Sequence, residues 1–104
     1  GQAIGRFAQD RGYTLVRNLA SHGIGRALHE DPQVIPTWPA RDERRRIHRG
    51  LVLTVEPFLS RGALWARGGR DGWTLLSEPR APVVQYEHTV VATDRGASIL
   101  TLPG

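Results

Sequence analysis

Short β-prone segments separated by turn residues make up most of the second half of the sequence. They are rich in valine, leucine and threonine, and glycine, proline or an Asp-Gly pair stands between them, as is typical of strands joined by short turns. The predicted strands cover residues 51–56, 63–66, 73–76, 83–92 and 98–102. Strands joined by such short connections pair in antiparallel fashion. This half of the chain therefore predicts an antiparallel sheet.

The first half contains one predicted helix. Ile4, Phe7 and Ala8 fall on one face of a helix over residues 2–11, and Gly12 stands where that helix would end. Residues 13–16 are β-prone, and residues 21–25 form a glycine-rich turn. One or two helices with an antiparallel sheet predict an α+β fold.

Residues 30–49 are predicted to form a long surface loop, because they contain three prolines and a run of arginines. The arginine loop, residues 41–49, holds five arginines and two acids and so carries +3 of the formal net charge of +4. We interpret it as a solvated loop, and contact with RNA phosphates is the alternative.

Size and composition predict one domain over residues 1–104 in a soluble, cytoplasmic protein. The 104 residues are 39% hydrophobic, which is ordinary for a globular domain. No apolar run approaches the roughly 20 residues needed to cross a bilayer, so we expect no membrane partner. The chain has no cysteine, which excludes disulfides and thiolate metal sites. It also lacks methionine and begins with Gly1, so we expect a piece of a longer protein.

Two glutamates occupy strand positions where carboxylates are unusual. Glu56 ends the apolar strand 51–56, and Glu87 lies in the middle of the strand 83–92. Burial of an unpaired carboxylate costs several kcal/mol, so a cation or hydrogen-bond donors must compensate both. Pairing with arginine, or a solvated strand face, is the ordinary alternative.

Strand alternation places polar side chains beside these carboxylates. Thr54 shares the face of Glu56, while Gln85 and Thr89 share the face of Glu87. Donors that flank a carboxylate orient it, as they do around metal ligands. The two glutamates are therefore candidate metal ligands.

His22 is the third candidate ligand, because the glycines around it let its imidazole project into a cavity; a structural histidine is the alternative. His29 follows seven residues later. His48 and His88 are predicted to be structural or exposed. Asp31 and Asp42 are discounted as ligands because both lie in the predicted loop.

The motifs resemble, in order and spacing, the carboxyl-terminal half of type I methionine aminopeptidases over essentially the whole chain. They are His22-Gly23-Ile24-Gly25-Arg26, His29-Glu30-Asp31-Pro32-Gln33-Val34, Thr54-Val55-Glu56-Pro57, Asp71-Gly72-Trp73-Thr74 and Gln85-Tyr86-Glu87-His88-Thr89. The resemblance implies one half of the pita-bread (creatinase/aminopeptidase) fold.

The resemblance also implies residue roles. His22, Glu56 and Glu87 match metal ligands, with Glu87 bridging two ions, and Glu56 and His29 match catalytic residues. The family's substrate contacts match His29, Trp73 and Leu28, although Leu28 stands where the family commonly has phenylalanine. Ser21 stands where it usually has glycine.

The implied function is removal of the N-terminal methionine from nascent proteins with two divalent ions of Co, Mn, Fe or Zn. The family's two aspartate ligands have no match in this chain. We therefore expect the chain alone to be inactive and to bind at most one ion weakly. Expected partners are nascent polypeptide N-termini, the ribosome and the missing amino-terminal half, but not DNA. A dimer formed through an exposed strand edge is a further expectation.

Two alternatives remain open at this stage. The chain could be a non-catalytic pita-bread half that binds ribosomal RNA or nascent chains through the arginine loop. It could also belong to the Xaa-Pro dipeptidase branch of the fold, although the segment that begins at His29 resembles the methionine enzymes.

Overall fold

The computed structural model describes all 104 residues, and its regular secondary structure consists of one helix and ten strands. Helix α1 spans Gln2–Asp10, and the strands are β1 (Thr14–Leu15), β2 (Ser21–Gly23), β3 (Glu30–Ile35), β4 (Val52–Val55), β5 (Phe58–Ser60), β6 (Trp65–Gly68), β7 (Leu75–Glu78), β8 (Val83–Gln85), β9 (His88–Thr93) and β10 (Gly96–Ile99). No helix is long and apolar enough to span a membrane.

The strands form three antiparallel sheets. A five-stranded sheet has the order β10-β9-β4-β2-β3, a three-stranded sheet has the order β1-β5-β8, and β6 pairs with β7 in a hairpin. All strand pairs are antiparallel. The predicted α+β class with an antiparallel sheet is therefore confirmed, with a single helix.

The apolar core is small and draws its residues from α1, from three strands and from the connections between them. Its buried hydrophobic residues are Ala8, Leu15, Val16, Leu53, Ala63 and Val90. Only Ala8 of the predicted helix face is fully buried, whereas Phe7 is 48% exposed. The guanidinium of Arg11 lies 3.8 Å from the centre of the Phe7 ring, so this ring is covered by a cation instead of the core.

The prediction of a loop over residues 30–49 was wrong for its first six residues, because Glu30–Ile35 form strand β3. We expected Pro32 to break a strand. However, β3 is an edge strand that pairs only with β2, and proline is tolerated at an edge because its missing N–H costs no ladder bond. Sequence alternation alone does not distinguish an edge strand from a loop.

The arginine loop is irregular, as predicted, and Arg45 attaches it to β3. Arg45 donates to the Glu43 carboxylate and to the carbonyl of Val34 in β3. The hydrogen bonds from the Arg45 side chain and backbone lower the pKa of Glu43 to about 2. The loop is therefore attached to the edge of the five-stranded sheet.

The predicted strand over residues 83–92 is two strands in different sheets. Strand β8 pairs with β5, while β9 pairs with β4 and β10. The chain changes sheets at Tyr86 and Glu87, which belong to neither strand. The continuous β-prone sequence gave no signal of this change, because valine and threonine suit both sheets equally. Strand β5, which follows Pro57, was not predicted.

The hairpin of β6 and β7 lies two residues later than the predicted strands 63–66 and 73–76. Asp71 in its turn accepts hydrogen bonds from the Thr74 hydroxyl and from the backbone N–H groups of Thr74 and Trp73. These bonds lower the pKa of Asp71 to about 2. The turn therefore occupies residues that we had assigned to the strand.

Candidate metal centre

His22 lies in a central strand of the five-stranded sheet and not in the predicted turn. Strand β2 has β4 on one side and β3 on the other. Gly23 permits this close packing, because a Cβ built on it would lie 2.3 Å from the carbonyl oxygen of Asp31. We predicted a turn from these glycines, but in the structure they allow β3 to approach β2 closely. His22 is consequently buried, with 6% of its surface exposed.

A backbone hydrogen bond fixes the orientation of the His22 ring. Its Nδ1 lies 2.8 Å from the carbonyl oxygen of Gly23. Because a carbonyl oxygen only accepts, Nδ1 must be the donor, and in the neutral ring Nε2 then carries the lone pair. Nε2 lies 3.1 Å from Oε1 of Glu56. Metal-binding histidines are commonly held in this way, with one nitrogen bonded to the protein and the other free for the ion.

Glu56 follows the end of β4 and is oriented by Thr54, as the strand alternation predicted. The Thr54 hydroxyl donates to Oε1 of Glu56 over 2.8 Å. Thr54 is fully buried, and the Glu56 side chain is 14% exposed. The ion pairs formed by arginines in the structure go to other acids. Glu56 therefore faces His22 and not a guanidinium.

Glu87 does not lie within a strand, and it is exposed. The expectation of a buried carboxylate in mid-strand was therefore wrong for this residue, because the chain changes sheets here. Gln85 Nε2 lies 3.5 Å from Oε2 of Glu87, which is at the limit of a hydrogen bond. Thr89 pairs with Thr54 across β9 and β4, and the structure shows no hydrogen bond between Thr89 and Glu87.

His22, Glu56 and Glu87 converge on one point. Each offers one ligand atom, and the three atoms lie within 4.8 Å of one another. Atoms that bind one ion at about 2.0–2.2 Å lie at most about 4.4 Å apart, so small side-chain movements suffice for all three to reach one ion. One imidazole and two carboxylates suit Mn, Fe, Co or Zn. The donor set therefore fits a divalent transition metal.

His29 lies beside this cluster, because its ring stacks on that of His22. The Glu30 carboxylate shapes the turn that carries it by accepting hydrogen bonds from the backbone N–H groups of Arg26 and Ala27 at 3.1 and 3.3 Å. We had not predicted this role for Glu30. The sequence signal for this role was the acid that follows Gly25 by a few residues. In the structure, a Cβ at Gly25 would lie 2.3 Å from this carboxylate, so the glycine leaves room for it.

The other sequence candidates lie largely in solvent or have local partners. Leu28 is 70% exposed and Trp73 is 90% exposed, so neither is enclosed in a pocket. His48 is exposed. His88 Nδ1 lies 2.8 Å from the hydroxyl of Thr101. The substrate contacts of Leu28 and Trp73 stay predictions.

Comparison with known proteins gives consistent matches. The sequence pattern of metallopeptidase family M24 matches residues 1–94. Methionine aminopeptidase of Escherichia coli K12 is 41% identical over 102 residues, which are 98% of this chain and 38% of that protein.

Two solved structures of methionine aminopeptidases resemble the chain. That from Thermotoga maritima gives a TM-score of 0.88 at 32% identity and covers 98% of this chain and 41% of its own. The structure from Rickettsia prowazekii gives a TM-score of 0.87 at 33% identity and covers 96% of this chain and 40% of its own. The chain thus has the fold of part of these proteins and spans about two-fifths of their length.

Proposed function

Because this chain belongs to metallopeptidase family M24, we propose that it supplies part of the metal site of an enzyme that removes N-terminal methionine from nascent proteins. The convergence of the His22, Glu56 and Glu87 ligand atoms within 4.8 Å is the observation that carries this proposal. The relatives named methionine aminopeptidase support the choice of substrate.

The three ligands would hold a divalent ion through His22 Nε2 and one oxygen of each glutamate. Such an ion polarises a carbonyl and makes water more acidic at neutral pH. The complete enzyme would hold two ions of Co, Mn, Fe or Zn. This chain alone would bind at most one, weakly, because the family's two aspartate ligands have no match in its sequence.

Glu56 would also move a proton. Its Oε1 is occupied by the Thr54 hydroxyl and faces His22, which leaves Oε2 to accept a proton from the attacking water. Glu56 would then pass this proton to the leaving amine, as a general base and acid do in peptide hydrolysis.

His29 would steady the negative charge that develops on the substrate. Its ring is exposed on one side and stacked on His22 on the other, so its free N–H group can donate a hydrogen bond to an oxyanion beside the ligands. Leu28 and Trp73 would contact the methionine side chain once further polypeptide encloses them.

A second polypeptide segment would complete the enzyme. The chain matches only 38% of the Escherichia coli relative. It also exposes large apolar side chains such as Trp65, Trp73 and Tyr86, which favours burial against another segment. The missing ligands and pocket walls would come from that segment.

Two measurements test the proposal. Calorimetric titration of the chain with Mn²⁺ should give no more than one weak site; two tight sites would contradict it. Mixing the chain with the portion of the Escherichia coli enzyme that it does not match should produce hydrolysis of a methionyl peptide, and the same mixture with His22→Ala should not. If the wild-type mixture stays inactive, the split-enzyme idea fails.

A further inference from the structure

Two buried hydroxyls join strands β2 and β4 beside the metal centre. The two strands pair directly at Gly23 and Leu53. Nearer the ligands, the backbone N–H of His22 donates to Thr54 Oγ1 over 3.1 Å, and the backbone N–H of Glu56 donates to Ser21 Oγ over 3.1 Å. Each of these two ligand residues is therefore held by a hydroxyl from the opposite strand.

The bond from Glu56 to Ser21 lies where the β4 ladder has ended. Strand β4 ends at Val55, and the register between β2 and β3 shifts between Ser21 and Gly23. Ser21 is 3% exposed, so water is a poor substitute for its hydroxyl. The side chain of Ser21 thus supplies an acceptor that the ladder does not provide.

We propose that Ser21 is a positioning residue for Glu56, an inference that rests on the proposed metal site. Thr54 holds the carboxylate of Glu56 at Oε1, and Ser21 holds its backbone at the amide. With both ends fixed, the Glu56 carboxylate stays opposite Nε2 of His22 before any ion binds. Binding then loses less conformational entropy, which raises the affinity for the ion.

Ser21→Ala in the whole chain tests this inference. Removal of the acceptor should weaken Mn²⁺ binding by roughly tenfold, the lower end of the effect expected for a group that orients a ligand. Calorimetry gives the affinity, and circular dichroism verifies that the variant is folded.

Ser60→Ala is the matched control. Ser60 is also buried, at 2% exposure, and its Oγ accepts a backbone N–H from Ala63 over 2.9 Å. It belongs to β5, in the three-stranded sheet. Ser60→Ala should reduce thermal stability but leave the Mn²⁺ affinity unchanged. An equal loss of affinity in both variants would show a general structural effect and overturn the inference.

Hydrogen exchange of the wild-type chain provides a test that does not depend on a folded variant. The Glu56 amide should be protected as well as the ladder amides of β4, and an unprotected amide would overturn the inference. A wild-type chain with no Mn²⁺ affinity would overturn the role of Ser21 in this chain, whereas an inactive mixture with the missing segment would overturn the proposed function. Wild-type affinity that survives in Ser21→Ala would overturn the inference alone.

Discussion

The imidazole rings of His22 and His29 lie face to face, with their centroids 3.9 Å apart and an angle of 30° between their planes. His22 is buried and His29 is exposed, so one ring covers the other on its solvent side. The contact joins a candidate metal ligand to a candidate substrate-binding residue, and we expect changes at one to affect the other.

His29→Ala should lower the Mn²⁺ affinity of the chain about two- to tenfold, the equivalent of the roughly 0.5–1.5 kcal/mol that a ring pair contributes. The cause is the loss of the ring that restricts His22. Calorimetry measures the affinity. His48→Ala, which removes another exposed histidine, should have no effect. Unchanged affinity in His29→Ala would mean that the stack does not orient the ligand.

Glu87→Gln should reduce Mn²⁺ affinity by at least about tenfold while the fold survives, since the change removes a charged ligand and Glu87 is exposed. Glu78→Gln is the control, because Glu78 is also exposed and pairs only with Arg67, at 3.8 Å. Calorimetry and thermal unfolding of both variants check this expectation. It is wrong if Glu78→Gln weakens binding as much.

Gly23→Ala should destabilise the chain by about 1–3 kcal/mol or more, because the added Cβ would lie 2.3 Å from a backbone oxygen of β3. At Gly68, in β6, a Cβ meets nothing within 4 Å. Gly68→Ala should therefore change the free energy of unfolding by no more than about 1 kcal/mol. Urea unfolding of both variants measures the difference, and equal effects would exclude crowding at Gly23 as the cause.

Glu43 should titrate at about 2 in the folded chain, where the hydrogen bonds from Arg45 lower its pKa from 4.5. A carboxyl group whose pKa is lower in the folded chain than in the unfolded chain stabilises the folded state at pH values above its unfolded pKa. The contribution of Glu43 to the free energy of unfolding is therefore complete above about pH 4.5 and is lost as the pH falls towards 2.

Arg45→Ala should return the pKa of Glu43 towards 4.5, whereas Arg44→Ala should leave it near 2. Carboxyl NMR titration of the wild type and both variants checks this. A pKa that stays near 2 in Arg45→Ala would assign the shift to another group.

The sequence predicted the antiparallel α+β class because strand alternation and turn residues are local signals. It also predicted that Thr54 lies beside Glu56, since both residues are near the end of one strand. Pairing between distant strands is not a local property. The sequence therefore did not reveal that β8 and β9 belong to different sheets, or that Glu87 is exposed between them.

Contacts that depend on a partner element were missed for the same reason. Pro32 indicates a loop unless it is known that β3 lies at an edge. The hydrogen-bond partner of the Ser21 hydroxyl can be identified only once β2 and β4 are known to lie side by side. The choice of His22, Glu56 and Glu87 as candidate ligands depended on their motifs as much as on strand chemistry.

The change of sheet at Glu87 has a thermodynamic consequence for the metal centre. His22 belongs to the five-stranded sheet, whereas Glu56, between β4 and β5, and Glu87, between β8 and β9, both lie at the junction between that sheet and the three-stranded one. An ion bound to all three residues would cross-link the junction to the larger sheet. Ion occupancy of the site and the angle between the two sheets are then linked. Ion binding would restrain the junction, and a rigid junction would favour ion binding.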